Sequence, residues 1–300
     1  MSSVPVALRI LVVGATGRLG RVVCSELATA GHQVLASTQD EIDITVEESI
    51  ARFVKDSKPG VIVNCSAYNA VDGAESDSAT AFAVNASGPG LLAKAAAQAG
   101  ALFVHFSTDF VFDGTATVPY TEDDPVNPLS VYGSSKRAGE VAVRDACSNH
   151  YILRVESLFG GTGIGGHRAT IDYIADTLVA GGTVRAFVDR TVTPSYVPDV
   201  AQTTRELMAL GAPRGTYHCV STGMTNWYEI AQQIAADLGI ESRIEGVASS
   251  DPPGKARRPR FCALSNEKLR AVGVDMPGWQ STLTRHLHHR ASTTSVVGTR

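Results

Sequence analysis

Short apolar runs alternate with longer amphipathic stretches through the first half of the chain. Ala7–Val13 is apolar, partly β-branched and followed by glycines, the pattern of a buried strand. Arg18–Ala30 predicts a helix closed by Gly31. The rhythm repeats with a strand at His32–Ser37, a helix from Thr45 to Asp56 and a strand at Val61–Cys65. Glu47 and Glu48 suit the first turn of that helix. The Ala-rich stretch Ser78–Ala99 predicts one long helix ending at Gly100, followed by a strand at Ala101–Ser107. A loop carrying Gly114, Pro119, Pro125 and Pro128 leads to a helix from Val131 to Ser148 and a strand at Tyr151–Val155. Strands alternating with helices specify an α/β fold whose parallel sheet is covered on both faces. Right-handed crossovers make it doubly wound.

The rhythm breaks after Phe159. Gly160, Gly161, Gly163, Gly165 and Gly166 predict a mobile loop beside a ligand. A helix near Thr170–Ala180 and a strand near Thr183–Val188 follow. Beyond Gly215 the elements shorten and prolines thicken, predicting a smaller C-terminal α/β lobe. The expected division is a nucleotide-binding domain at 1–159, with 183–214 returning to it. Residues 160–182 and 215–290 form a substrate lobe, and 291–300 form a disordered Ser/Thr-rich tail.

Composition narrows the function classes. With 26 basic and 30 acidic residues the net charge is -4, which gives no electrostatic case for nucleic acid or an anionic membrane. No apolar run reaches membrane-spanning length. Cys24, Cys65, Cys147, Cys219 and Cys262 are odd in number and widely spaced, which predicts free thiols in a reducing cytoplasm. His286, His288 and His289 predict a solvated helix end rather than a metal site, because no partner carboxylate is evident.

The glycines carry the first candidate chemistry. Gly14-Ala15-Thr16-Gly17-Arg18-Leu19-Gly20 lies between the first strand and the first helix. Gly14 permits the tight turn, Gly17 lets a pyrophosphate approach the backbone, and Gly20 allows close helix–sheet packing. Amides at the helix N-terminus then face the anion, so a dinucleotide is expected. At the end of the second strand there is neither an acid for a ribose hydroxyl nor an Arg for a 2′-phosphate. Ser37 and Thr38 lean towards NADP over NAD without deciding it.

Tyr132 and Lys136 stand four residues apart and share one helix face. Ser107-Thr108-Asp109 ends the fourth strand, where open α/β sheets place ligands. A hydroxyl donor, a phenol and an ammonium there suit ketone reduction. In that chemistry Tyr132 protonates the developing alkoxide, Lys136 stabilises the phenolate and holds the nicotinamide ribose, and Thr108 aligns the carbonyl. Arg257 and Arg258 are candidates for a substrate diphosphate. Trp227 is expected to pack within the second lobe.

Taken together these residues resemble the dTDP-4-dehydrorhamnose reductase family of the extended short-chain dehydrogenase/reductases, over about residues 8–290. Asn64-Cys65-Ser66-Ala67-Tyr68-Asn69-Ala70-Val71-Asp72-Gly73-Ala74-Glu75 resembles its "NAAAYTAVDKAE" segment. Ser107 to Gly114 is one residue from "STDYVFDG", and Ala256-Arg257-Arg258-Pro259 resembles "ARRP". The resemblance implies a Rossmann-type fold. It implies backbone at Gly17, Arg18 and Leu19 on the pyrophosphate, Asp43 and Ile44 on adenine, and Cys65, Ser66 and Ala67 beneath the cofactor. It also implies Tyr132 and Lys136 at the nicotinamide, and Thr108 and Asp109 on the sugar. The substrate it implies is a nucleotide-linked 4-keto-6-deoxyhexose, and a homodimer is the family expectation. Magnesium accompanies some members, but the sequence shows no carboxylate cluster for it, so no metal ligands are expected.

Where the family reads "RTSWVYG", this chain has Arg154-Val155-Glu156-Ser157-Leu158-Phe159-Gly160, which sets Leu158 at the sugar-facing aromatic position. Glu156 is then either a buried structural acid or an acceptor for a sugar hydroxyl. Two other readings stay open: a nucleotide-sugar epimerase or dehydratase, and a non-catalytic subunit like the regulatory subunit of methionine adenosyltransferase.

Overall fold

A computed structural model describes residues 7–161, 168–241, 243–250 and 252–297. The first half follows the expected alternation: β1 (Arg9–Val13), α1 (Arg18–Thr29), β2 (Gln33–Ser37), α2 (Glu47–Ser57) and β3 (Val61–Asn64). The short helices α3 (Val71–Ala74) and α4 (Ser78–Phe82) come next. A π-helical turn at Ala83–Ser87 joins α4 to α5 (Gly88–Gln98), so the expected long helix is interrupted. Then come β4 (Leu102–Thr108), a 3-10 turn at Asp109–Val111, α6 (Val131–Ala146) and β5 (His150–Val155).

The second half contains α7 (Thr170–Val179), β6 (Thr183–Phe187), β7 (Thr191–Val192), α8 (Val197–Leu210), β8 (Gly215–His218), β9 (Thr225–Asn226), α9 (Trp227–Leu238), β10 (Arg243–Val247), α10 (Glu267–Ala271) and α11 (Trp279–Val297).

The main sheet is parallel, in the order β2-β1-β3-β4-β5-β8. Its residues alternate between two cores, as strand pleating requires. Ile10 and Val12 pack with Val23 and Leu27 of α1 and Val200 and Leu207 of α8. Leu11 and Val13 pack with Ile50 of α2, Leu92 of α5 and Val143 of α6. A third core lies off the sheet, where Ile174 and Leu178 of α7, Val184 of β6, Ile230 and Ile234 of α9 and Leu283 of α11 meet.

Three expected boundaries change. β6 does not return to the main sheet but pairs in parallel with β10. β8, assigned to the substrate lobe, is instead the sixth strand, with Tyr217 buried against Tyr151. Both are short turn-bounded strands, and only packing partners distinguish them. The expected tail from residue 291 begins inside α11, which has no Gly or Pro between its ends to stop it. Gly163, Gly165 and Gly166 of the expected mobile loop lie outside the described residues.

Candidate active site

β1 is flanked by β2 on one side and β3 on the other, so the chain reverses direction across the sheet at β1. A crevice opens there beyond the carboxyl ends of the strands. Gly14, just after β1, has φ +75, and a Cβ on it would come 2.8 Å from the Ser66 amide nitrogen. A Cβ on Gly20 would strike the Gly14 carbonyl. Gly17 precedes α1 in extended conformation and offers no side-chain cap, leaving the first amides of α1 for an anion. Thr16 is exposed beside it, and Leu19 is buried. Across the crevice Cys65, Ser66 and Ala67 follow β3. The Ser66 amide is held by Asn64 Oδ1 at 3.0 Å. The backbone at Gly14, Gly17 and Gly20 and the segment after β3 thus face each other across the crevice.

Its adenine side differs from expectation. Ser37 is fully buried and donates to the Val12 carbonyl at 3.2 Å, so it presents nothing to a 2′-phosphate. Its position in the β2 pleat turns the hydroxyl into the sheet. The Thr38 amide and hydroxyl both bond the Glu41 carboxylate, at 2.8 and 3.1 Å. Asp43 is exposed, and bonds from Thr45 hold its carboxyl below the usual range. Ile44 is buried next to Gly88.

Thr108, Tyr132 and Lys136 are brought together and buried. Ser130 caps α6 by accepting from the Gly133 amide at 3.1 Å. Gly133 lets the helix approach the Phe110 carbonyl, where a Cβ would not fit. Tyr132 packs edge-on to Phe110, with ring centres 5.8 Å apart, and the Thr108 side chain near its hydroxyl favours the phenolate against burial. Lys136 Nζ donates to the Phe106 carbonyl at 2.7 Å. The Thr108 hydroxyl donates to Asp109 Oδ1 at 2.9 Å. Burial, and then the Asp109 charge, raise the Tyr132 phenol above its ordinary pKa. Burial lowers Lys136 to about 8, against the opposing pull of Glu140.

A cavity of about 350 Å³ opens beyond Asp109, with Phe110, Glu156, Trp227, Arg258 and Cys262 in its walls. A second of equal volume borders Arg18 and shares Ser157, Thr170 and Trp227 with the first. The two cavities adjoin, the second beside Arg18 of the glycine turn and the first beside Asp109 and Phe110, which follow Thr108 in the chain. The whole match then decides the family: residues 8–292 fit the model described as the RmlD substrate binding domain.

The chain belongs to that family. It is 38% identical over 292 residues to a dTDP-4-dehydrorhamnose reductase of Burkholderia thailandensis, covering 91% of this chain and 96% of the relative. A crystal structure of a dTDP-4-dehydrorhamnose reductase from Clostridium acetobutylicum superposes with TM-score 0.88 at 31% identity, covering 95% of this chain and all (100%) of that one. The reductase of Bacillus anthracis, solved in complex with NADP, also gives 0.88 at 28% identity, covering 94% of this chain and 98% of that one.

This RmlD-family chain departs from the expected sugar-facing wall. Leu158 packs on the sheet core and borders only the second cavity. Ser157, held at φ +43, lines both cavities, as do Thr170 and Trp227. Trp227 packs in the second lobe as expected but also lines both cavities, which helical periodicity alone did not reveal. Arg258 reaches the first cavity, with its charge already paired to Asp72 at 2.9 Å. Arg18 ties the glycine turn to the second lobe, donating to the Gly161 carbonyl at 3.2 Å and pairing with Asp172 at 3.6 Å.

Two expectations about charged groups are overturned. His286 is not a solvated helix end: it is buried and bonds Asp172 at 2.8 Å, an acid 114 residues away that no local pattern links to it. Carboxylates do cluster in the cavity wall, where Asp109 and Glu156 face each other beside Cys262. Glu156 Oε2 accepts from the Thr193 amide and hydroxyl, both at 2.6 Å. Burial raises Asp109 to about 6, and burial together with the Asp109 charge raises Glu156 further above its ordinary value. Magnesium prefers a shell of oxygens and water. The thiol in this group, whose pKa burial pushes well up, does not fit that ion.

Proposed function

We propose that the chain reduces the C4 ketone of a dTDP-linked 6-deoxyhexose with NADPH, the dTDP-4-dehydrorhamnose reductase reaction. The observation that carries this reading is the burial of Thr108, Tyr132 and Lys136 at the end of β4 and along α6, next in the chain to Asp109 and Phe110 in the wall of a cavity of about 350 Å³. The cradle at Gly14, Gly17 and Gly20 fits a dinucleotide because backbone occupies the space where Cβ atoms would stand. A bound reduced nicotinamide supplies the hydride. Tyr132 holds the proton that passes to the oxygen as it gains charge, and Thr108 orients both groups. Lys136, beneath them, places a positive charge where a phenolate forms. Asp109 and Glu156 accept hydroxyl hydrogens of the sugar, Arg258 lies on the side of its diphosphate, and Trp227 gives its ring an apolar wall.

The three buried and two half-buried free cysteines suit a reducing cytoplasm. Among the described residues, no helix is long and apolar enough to cross a membrane. The deciding assay follows NADPH and NADH oxidation with dTDP-4-keto-6-deoxyhexoses. Oxidised cofactor is released in step with the reduced sugar if the proposal holds. An epimerised or dehydrated sugar with no net cofactor consumption would indicate the other chemistry of this fold.

A further inference from the structure

Asp109, Glu156 and Cys262 come from the end of β4, the end of β5 and the segment before α10. One carboxylate oxygen of each acid and the Cys262 sulfur all lie within 4.8 Å of one another. The three residues are 3%, 2% and 6% exposed. Each acid is anchored by one oxygen: Asp109 Oδ1 takes the Thr108 hydroxyl, and Glu156 Oε2 takes Thr193. The other oxygens, Asp109 Oδ2 and Glu156 Oε1, make no hydrogen bond of normal geometry among the described residues, and the Cys262 thiol is close enough to the Asp109 carboxyl to perturb it. Buried acceptors are seldom left so, and each asks for an occupant. The group borders the first cavity, which gives a small ion a way in.

We propose that Asp109, Glu156 and Cys262 form a site for a thiophilic divalent cation of the zinc and cadmium class. Two carboxylate oxygens and one thiolate are a donor set that zinc accepts in tetrahedral geometry, with the fourth position left to water or substrate. Thr108 and Thr193 stand behind the carboxylates and orient them, as groups behind metal ligands do. Entry of the cation releases the Cys262 proton, and any proton shared by the two acids, to solvent. No electron moves. The ion then occupies the wall that the sugar hydroxyls use. That competition rests on the ketoreductase reading, whereas the binding does not.

Cobalt(II) is the probe, because a thiolate ligand gives it a near-ultraviolet charge-transfer band. Titration of the full chain takes up one equivalent with that band and tetrahedral visible absorption. Zinc displaces it and magnesium does not. Cys262→Ser loses the band, Glu156→Gln weakens uptake, and Cys24→Ser/Cys65→Ser keeps both. A band that survives in Cys262→Ser, or no stoichiometric uptake by the unaltered chain, would overturn the site. X-ray absorption on the zinc-loaded unaltered chain guards against a variant that fails to fold. One sulfur near ~2.3 Å with oxygens around it supports the site, and a shell without sulfur refutes it. In turnover assays zinc raises the apparent KM for the sugar and leaves kcat unchanged. Cobalt binding without any reductase activity would sink the proposed function and leave the metal site standing.

Discussion

The Tyr132 hydroxyl sits among the Thr108 hydroxyl, the edge of Phe110 and the Asp109 charge. Tyr132→Phe removes that hydroxyl from a buried wall without opening a cavity, so the fold is retained. Its kcat is expected to fall by ~10²–10⁴, the usual worth of a positioned acid, while NADPH titration gives an unchanged Kd. Retained turnover would assign the proton to another group. Glu156 allows a second test at this scale. Burial raises Asp109 to about 6 and, with the Asp109 charge, raises Glu156 well above its ordinary value, whereas unfolded carboxyls lose their protons near ~4. Between those values the native state binds more protons, so this pair's contribution to stability falls as pH rises. Glu156→Gln removes the second carboxylate and leaves an oxygen for Thr193. Urea unfolding at pH 5 and pH 8 is expected to show it gaining roughly 1–3 kcal/mol on the unaltered chain over that interval. An equal difference at both pH values would deny the pair its raised pKa. At this scale Gly14, Gly20, Tyr132 and Lys136 were legible because their chemistry leaves few substitutes. Ser37 was misread because the pleat of β2, not its residue type, decides where its hydroxyl points.

At the scale of elements, α6 carries Tyr132 and Lys136, and the π turn before α5 sets where α6 lies. Asn85 in that turn donates to the Tyr68 carbonyl and to Ser135 Oγ, both at 3.0 Å, and accepts from the Tyr68 amide at 2.9 Å. Gly139 crosses the turn so closely that the Asn85 carbonyl fills the space of a Cβ. Gly139→Ala forces the two apart and should cost about 1–3 kcal/mol, read as a lower urea midpoint. Because the catalytic side chains ride on the same helix, kcat falls with it. An unchanged midpoint would mean that α6 has room to shift. The Ser78–Ala99 stretch reads as one helix because its alanines favour helix, although Gly88-Pro89-Gly90 within it marks the place where the helix restarts. A π turn is set by what its side chains bond, and such turns recur at functional sites.

At the scale of the whole molecule, the glycine turn and the second lobe are joined through Asp172 of α7. Arg18 reaches it at 3.6 Å, His286 at 2.8 Å, and Arg290 also pairs with it. Against a desolvation penalty, the contacts from His286 and Arg290 hold its carboxyl well below the usual range. Asp172→Asn leaves them facing a neutral amide at a half-buried junction. The expected loss is ~1–3 kcal/mol, between the values for exposed and fully buried pairs. Amides of α7 should exchange faster with solvent, and the KM for NADPH should rise because Arg18 is released from its anchor. If α7 exchange is unaltered, the junction rests on apolar packing alone.

Residue pattern alone reveals the alternation of strands and helices from β1 to β5, the glycine turn and the Tyr/Lys spacing on one helix face. Those features rest on local physics: strand and helix periodicity, a positive φ that favours glycine, and a four-residue spacing. It did not determine which sheet β6 and β8 join, which way Ser37 and Ser157 face, or that His286 meets Asp172. Nor did it bring Asp109, Glu156 and Cys262 to one wall. Each of those is a contact between residues far apart along the chain. Such contacts depend on which surfaces are buried together, and no local pattern along the chain encodes that.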